Sequence, residues 1–235
     1  MSACIIMPTV PRRSASAAEV VRRLLPQADA MIVHLNGHTD VPAWARDKRI
    51  RAIPHAAGTG PIVRLSVVPE PGIDHVLFVD DDLAYPPDYV ARNVAALKRL
   101  GPSNAVCYHA AYWPKGTQPA YAQRRVVMYS DQVAKDLRVP LMGSGTACFH
   151  RSDLLRIDRS APKLFEYHDD VWTSASCARE GIRLIRVPSA RNWIMPLGAA
   201  HDDDPSVEGE QQNAYVNQDA AMAAAHEMGG WNISL

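Results

Sequence analysis

The chain has 235 residues, and its 25 basic and 25 acidic side chains give a formal net charge of zero. This length suits one α/β domain with a sizeable core. The balanced charge gives no electrostatic footprint for nucleic acid or for a membrane surface. No apolar run approaches the roughly 18 residues of a transmembrane helix, and residues 2–10 lack the basic start of a signal peptide.

The cysteines indicate a reducing compartment. They are far apart and have no C-x-x-C spacing: Cys4, Cys107, Cys148 and Cys177. Such a pattern favours reduced, mostly buried thiols over disulfides or a zinc site. We therefore expect a cytoplasmic protein.

The first half of the chain alternates between apolar strands and amphipathic helices. We expect Pro8 and Pro11 to end the first strand, and Ser14 or Ser16 to cap the first helix. Strands that alternate with helices predict a mostly parallel sheet with helices on both faces. The predicted strands are 3–10, 30–35, 49–54 and 75–79, and the predicted helices are 14–25 and 58–68.

The fourth of these strands runs straight into three carboxylates, Asp80, Asp81 and Asp82. The acids therefore lie at the carboxyl end of a buried strand, where open α/β sheets bind their ligands. Like charges this close repel, and each raises the pKa of the others unless a cation is near. A divalent metal is the simplest such cation, and oxygen ligands favour Mg²⁺ or Mn²⁺ over zinc.

A second acidic site follows in the other half of the chain. Asp169 and Asp170 stand at the start of a predicted helix, where the helix dipole favours carboxylates, and Gly181 suits its end. Before it, the small residues 143–147 let another group approach the backbone closely. The other predictions here are a helix at 88–100, strands at 105–109 and 182–187, an edge strand or hairpin arm at 125–129, a loop near the site at 113–121 and a closing helix at 217–228.

These motifs carry a resemblance. An apolar strand followed by Asp80-Asp81-Asp82 resembles the Asp-x-Asp metal motif of glycosyltransferases with the A-type (GT-A) fold. The second site is similar to the Glu-Asp-x-Asp pattern of the inverting family 2 enzymes, with Asp169 in place of the Glu and Trp172 in place of the third acid. The resemblance spans residues 1–200.

The fold and organisation that this resemblance implies is a GT-A-like single α/β domain over residues 1–235. Residues 1–100 would form the nucleotide-binding half and residues 101–200 the half for donor sugar and acceptor. Residues 201–235 would add a mobile segment and a closing helix, with 205–212 ordering over the nucleotide.

The resemblance also implies roles for single residues. A metal, Mn²⁺ or Mg²⁺, would be held mainly by Asp82, with Asp80 assisting and His201 joining from the C-terminal segment. Asp170 falls on the position of the catalytic base, which takes the proton of the acceptor hydroxyl. Asp169 remains a competitor for that role.

The nucleotide would bind at the ends of the first two strands. Arg64 could reach the diphosphate, although it also suits a solvated helix face, and Asn36 also suits a plain turn. The acidic run 202–204 fits a second metal site or, better, a solvated loop. The residues that would face the nucleotide are Pro8, Thr9, Val10, Asn36, His38 or Asp40, Asp80 and Asp81.

The function implied is metal-dependent transfer of a sugar from a nucleoside-diphosphate donor, a UDP-sugar first among them, to an acceptor hydroxyl with inversion. One rival is a metal-dependent nucleotidyltransferase or phosphohydrolase. Residues 1–15 lack the acidic nucleophile of such hydrolases, and 8–13 carry a basic pair but no glycine. A second rival is a non-catalytic nucleotide-sugar-binding module.

Overall fold

The computed structural model describes residues 2–117, 120–197, 217–229 and 231. In chain order the strands are β1 (Ala3–Thr9), β2 (Ala30–Asn36), β3 (Ile50–His55), β4 (His75–Val79), β5 (Leu83–Ala84), β6 (Asn104–Cys107), β7 (Ala110–Tyr112), β8 (Arg125–Val127), β9 (Leu137–Val139), β10 (Leu141–Met142), β11 (Thr146–His150), β12 (Arg183–Arg186) and β13 (Met195–Pro196). The helices are α1 (Ser14–Leu24), α2 (Tyr89–Leu100), α3 (Arg151–Leu154), α4 (Asp169–Arg179) and α5 (Gln218–Glu227).

Within the described residues, a central sheet of eight strands has the order β3-β2-β1-β4-β11-β6-β12-β9. Strands β3, β2, β1 and β4 are parallel, and so are β6 and β12. Strand β11 runs antiparallel between β4 and β6, and β9 is an antiparallel edge. The predicted mostly parallel sheet is therefore confirmed, with an antiparallel strand at its centre.

The sheet is covered on both faces because its strands are apolar at successive positions. In β1, Ile5 and Met7 point to the face that α1 and α2 cover. Cys4 and Ile6 point to the opposite face, which α4 and α5 cover. A strand buried on both sides reads as a continuous apolar run, which is the pattern that predicted β1, β2 and β4.

The carboxyl ends of several parallel strands lie together on one side of the sheet. The parallel strands β1, β2, β4 and β6 all finish there. Strand β11 begins there, because it runs the other way and pairs Thr146 with Val79 of β4. Residues that follow β4 and residues that precede β11 are thus brought together, although they are far apart in the sequence.

Some boundaries differ from the prediction. Pro8 does not end β1 but lies within it, in register with His34 of β2, since a missing N–H removes only one possible bond of the ladder. The helix predicted at 58–68 is a short 3-10 turn, Pro61–Leu65. It packs against the loop before α4, where the Ile62 N–H donates to the carbonyl of Glu166 at 3.3 Å.

The ends of the helices and the state of the cysteines can be set against the predictions in the same way. Neither predicted serine caps α1, because Ser14 is its first residue and Arg13 stands at the cap without a side-chain bond. Gly181 follows α4 with a φ of +68°, as expected of a residue that ends a helix. All four cysteines are free, buried thiols. None of the helices in the described ranges is long and apolar enough to cross a bilayer.

The ring contact between Phe78 of β4 and Phe149 of β11, at 5.1 Å between centroids, lies in the middle of the sheet. Because Phe149 is fully buried, we expect Phe149→Ala to lower the free energy of unfolding by about 3–5 kcal/mol. Chemical denaturation measures this loss. As a control, Leu155→Ala should stay within about 0.5 kcal/mol because that side chain is exposed. Equal losses in the two variants would contradict the packing described here.

Candidate functional site

A cleft of about 830 Å³ opens at the edge where β1, β2 and β4 end. Its described wall also includes the turn before β11 and the start of α4. A smaller cavity of about 450 Å³ lies at the opposite ends of β2 and β3 and contains none of the predicted site residues. The larger cleft brings together Asn36, Arg64, Asp80, Asp82, Asp169 and Asp170.

The acids that follow β4 have a cationic partner that the sequence did not reveal. Nη1 of Arg13 donates to Oδ1 of Asp81 at 3.0 Å and lies 3.2 Å from Oδ2 of Asp82. Both acid side chains are almost fully covered. Burial raises the pKa of Asp81, and the charge of Arg13 together with hydrogen bonds from Arg13 and Thr9 opposes that rise. Arg13 thus places a positive charge beside two of the three acids.

A second arginine joins the two acidic sites. Nη2 of Arg64 donates to Oδ1 of Asp80 at 2.9 Å, and its Nε lies 3.1 Å from Oδ2 of Asp169. The Arg64 side chain is only 2% exposed, so the alternative of a solvated helix face is wrong. Its Nη1 has no hydrogen-bond partner among the described residues.

The small residues before β11 do admit a close neighbour, as predicted. A Cβ at Gly145 would lie 1.8 Å from Oδ2 of Asp80. The hydroxyl of Tyr85 fixes the same place, because it donates to the Gly145 carbonyl at 2.6 Å and accepts from the Asp80 N–H at 2.8 Å. Likewise, a Cβ at Gly143 would lie 2.5 Å from the ring of His109. The group that approaches the backbone here is the carboxylate of Asp80.

The two acids in the first turn of α4 differ in their surroundings. Asp169 is buried and tied to Arg64. Asp170 is half-buried on the cleft wall, and its Oδ1 accepts the Val171 N–H at 2.8 Å. Burial and the neighbouring charge of Asp169 raise the pKa of Asp170 to about 7. One acid is therefore anchored, while the other is poised to exchange a proton near neutral pH.

The predicted nucleotide-facing residues are only partly together. Pro8, Thr9, Val10 and Asn36 line the cleft, whereas the two alternatives after β2, His38 and Asp40, are not part of its lining. Nδ2 of Asn36 donates to the Thr59 carbonyl at 2.9 Å. Its Oδ1 is buried without a partner in the described part of the chain.

The predicted metal ion would need side chains that carry metal-binding atoms close together in the cleft. In the described ranges, no three His, Cys, Asp or Glu side chains are placed to hold a metal ion. His201, the run 202–204 and the predicted mobile segment 205–212 lie outside the described residues. Carboxylates of Asp81 and Asp82 do converge on one cationic nitrogen. Such hard oxygen donors fit Mg²⁺ or Mn²⁺ in kind, and Arg13 occupies the point of convergence.

Because Asp80 lies so close to Gly145, substitutions at the two positions should have non-additive effects on the free energy of unfolding. Gly145→Ala should lower the free energy of unfolding by about 1–3 kcal/mol, because its new methyl group meets the Asp80 carboxylate. In a double variant with Asp80→Ala the obstacle is gone, so the combined loss should be smaller than the sum of the single losses. Thermal and chemical denaturation measure the four proteins. Asp40→Ala, which removes an exposed carboxylate outside the cleft, is the control and should simply add to Gly145→Ala.

Comparison with known proteins identifies the fold. No protein-family model matches the chain, and no curated protein matches it either. Among solved structures, it is similar to S. aureus TarS 1-349, with a TM-score of 0.52 and 12% identity over 81% of this chain and 59% of that one. This chain thus spans less than two thirds of that structure.

Two further structures are more distant. TarS 1-349 in complex with UDP-GlcNAc gives a TM-score of 0.48 at 14% identity, over 81% of this chain and 57% of that one. A197 from STIV gives 0.45 at 15% identity, over 83% of this chain and 84% of that one. At such identities a likeness establishes the fold alone. The chain has a GT-A-like α/β fold, with a mixed, mostly parallel eight-stranded sheet between helices.

Proposed function

We propose that the protein transfers a sugar from a nucleoside-diphosphate donor, a UDP-sugar first among them, to an acceptor hydroxyl with inversion. The observation that carries this proposal is that two acidic sites, Asp80 to Asp82 and the pair Asp169 and Asp170, face one cleft. Inverting glycosyl transfer can use both: acids that hold a cation against the negative charge of the diphosphate, and a carboxylate that accepts the hydroxyl proton. The GT-A-like fold supports this reading by analogy.

The donor would lie along the ends of β1 and β2. Pro8, Thr9 and Val10 offer an apolar and backbone surface to the nucleoside. Asn36 offers an oxygen that has no partner among the described residues and is fixed by the bond from its amide nitrogen to Thr59. An amide oxygen accepts hydrogen bonds, so it suits an N–H on the edge of a base.

A divalent metal is part of the proposal. Asp82 would be its main ligand and Asp80 would assist, since the Asp80 side chain is 41% exposed. The ion, Mn²⁺ or Mg²⁺, would supply positive charge to the diphosphate as it leaves. His201 remains a predicted ligand. Asp81 is the most deeply covered acid of the three and would mainly shape the electrostatics of the site.

The base would be Asp170 and not Asp169. Asp169 already shares the charge of Arg64 and is fixed by it, whereas Asp170 is on the cleft wall with a raised pKa. As the acceptor oxygen bonds to the anomeric carbon, the bond from that carbon to the diphosphate oxygen breaks and Asp170 takes the hydroxyl proton. A pKa near 7 lets the carboxylate be ionised at neutral pH and still bind that proton.

The donor half of the proposal is tested by calorimetric titration of UDP, GDP, CDP and ADP, with Mn²⁺ and with a chelator. We expect one nucleoside diphosphate, UDP first, to bind with Mn²⁺ and to lose most of its affinity with the chelator. Asp82→Asn should abolish the part of the affinity that depends on Mn²⁺, because it removes a carboxylate ligand.

Asp136→Asn is the matched control, since it removes a surface acid that pairs with Arg99 on α2. Its nucleotide affinity should equal that of the unaltered protein. If none of the four nucleotides binds to the folded protein, the proposed function is wrong. If UDP binds equally well with Mn²⁺ and with the chelator, the metal drops out of the proposal.

The role of Asp170 gives a pH prediction. Its folded pKa of about 7 is above the unfolded value of roughly 3.9. Between these pH values the folded protein holds a proton that the unfolded chain releases, so stability falls as pH rises from about 4 to about 7. Asp170→Asn cannot ionise, and it should be more stable than the unaltered protein at pH 8, by about 1–3 kcal/mol given partial exposure, and similar to it at pH 4.

The same variant should bind donor normally and transfer no sugar, and the transfer rate of the unaltered protein should fall below about pH 7 as the base becomes protonated. Asp169→Asn serves as the comparison and should be destabilised at both pH values, because Arg64 then loses a buried partner. Full transfer by Asp170→Asn would remove Asp170 as the base. Binding without transfer in every variant, the unaltered protein included, would favour the non-catalytic binding module.

A further inference from the structure

Arg13 differs from the other arginine of the site in how it is held. It ends the short 3-10 turn Pro11–Arg13 that follows β1, and its side chain is 28% exposed. The side chain of Arg64 is 2% exposed. Both line the cleft. Arg64 is therefore enclosed, whereas Arg13 can turn away from its acids without opening the core.

The position of Arg13 matters because one nitrogen serves two carboxylates. Its Nη1 lies 3.0 Å from Asp81 and 3.2 Å from Asp82. A metal ion bound to Asp82 would bring further positive charge within a few ångströms of the same nitrogen. Like charges that close repel strongly in a partly covered site. Arg13 and a metal ion therefore compete for the charge of the Asp82 carboxylate.

An arginine released at this place has an obvious use. Its planar group donates several N–H bonds in a fork that matches phosphate oxygens. It would be released on the wall of the cleft, beside the acids that we propose as the diphosphate end of the donor site.

We propose that Arg13 is a ligand of the donor diphosphate that rests on Asp81 and Asp82 while the site is empty, and there competes with the metal. This inference rests on the proposed function. Arg13 gives up Asp82 when the metal arrives and then donates to the diphosphate. Metal and donor therefore bind cooperatively, because each removes an obstacle to the other.

The inference predicts effects of opposite sign in one variant. Arg13→Gln removes the competitor, so Mn²⁺ alone should bind about tenfold more tightly, as expected for the loss of one charge-assisted contact. It also removes a phosphate ligand, so UDP in the presence of saturating Mn²⁺ should bind about tenfold more weakly. An arginine that only neutralised the two acids would also weaken Mn²⁺ binding, but its removal would leave the affinity for UDP at saturating Mn²⁺ unchanged, so the pair of opposite effects identifies the diphosphate ligand.

The experiment measures Mn²⁺ binding by electron paramagnetic resonance without nucleotide, and UDP binding by calorimetry at saturating Mn²⁺. Arg13→Lys keeps a cationic nitrogen but loses the planar fork, so its Mn²⁺ affinity should stay near that of the unaltered protein, while its UDP affinity should fall by less than that of Arg13→Gln. Arg22→Gln is the control for loss of a positive charge, since Arg22 lies on α1 and pairs with Glu19. Neither of its affinities should change.

The outcomes separate the inference from the proposed function. If UDP does not bind the unaltered protein, the proposed function fails, and the Mn²⁺ titration alone still decides whether Arg13 competes. If Mn²⁺ binds Arg13→Gln no more tightly than the unaltered protein, or binds neither, the inference is overturned. If Arg13→Gln does not fold, Arg13→Gln with Asp81→Asn restores the charge balance and keeps Asp82, and it should bind Mn²⁺ more tightly than Asp81→Asn alone, which has lost the same carboxylate but keeps Arg13.

Discussion

Covered carboxylates at one edge of the sheet, and the arginines that neutralise them, are the constraint on which this cleft depends. Removing an ionised carboxylate from water costs several kcal/mol unless a partner compensates for it. Arg64 compensates for the buried Asp169 and also pairs with the more exposed Asp80, and Arg13 compensates for Asp81 and Asp82. Because Arg64 is itself buried, it ties the end of β4 to the first turn of α4 and fixes the distance between the two acidic sites.

This arrangement gives neighbouring acids different properties. Asp169 shares the charge of Arg64, while burial and the repulsion of Asp169 together raise the pKa of Asp170. A carboxyl group whose ionisation is disfavoured reduces stability at neutral pH, and carboxyl groups with perturbed pKa values cluster at functional sites. The structure thus distinguishes two side chains that the sequence presents as equivalent.

The close packing of polar groups in the cleft also depends on two glycines, which have no side chain to fill the space. Gly145 leaves room for Asp80, and Gly143 leaves room for His109. The Tyr85 hydroxyl then links the two backbones, because it accepts from the Asp80 N–H and donates to the Gly145 carbonyl. Strand β11 runs antiparallel to its neighbours and starts where β4 ends. The residues just before β11 therefore line the cleft beside the acids that follow β4.

The sequence by itself determined the main buried strands, the longer helices and the location of the acids. Apolar runs predict β1, β2 and β4, and helical spacing predicts α2, because the periods of strand and helix are local properties of the chain. The end of a buried strand and the start of a helix then place Asp80 to Asp82 and Asp169 to Asp170. The need for a cation beside the acids also follows from charge alone.

Only the tertiary structure decided which cation meets that need. Arg13 stands 68 residues from Asp81, and no local pattern links them. The same holds for the buried bridge of Arg64, the insertion of β11 between β4 and β6, and the shortening of the helix predicted at 58–68 to Pro61–Leu65. Such contacts between distant parts of the chain arise from packing, and periodicity carries no information about which distant side chains meet.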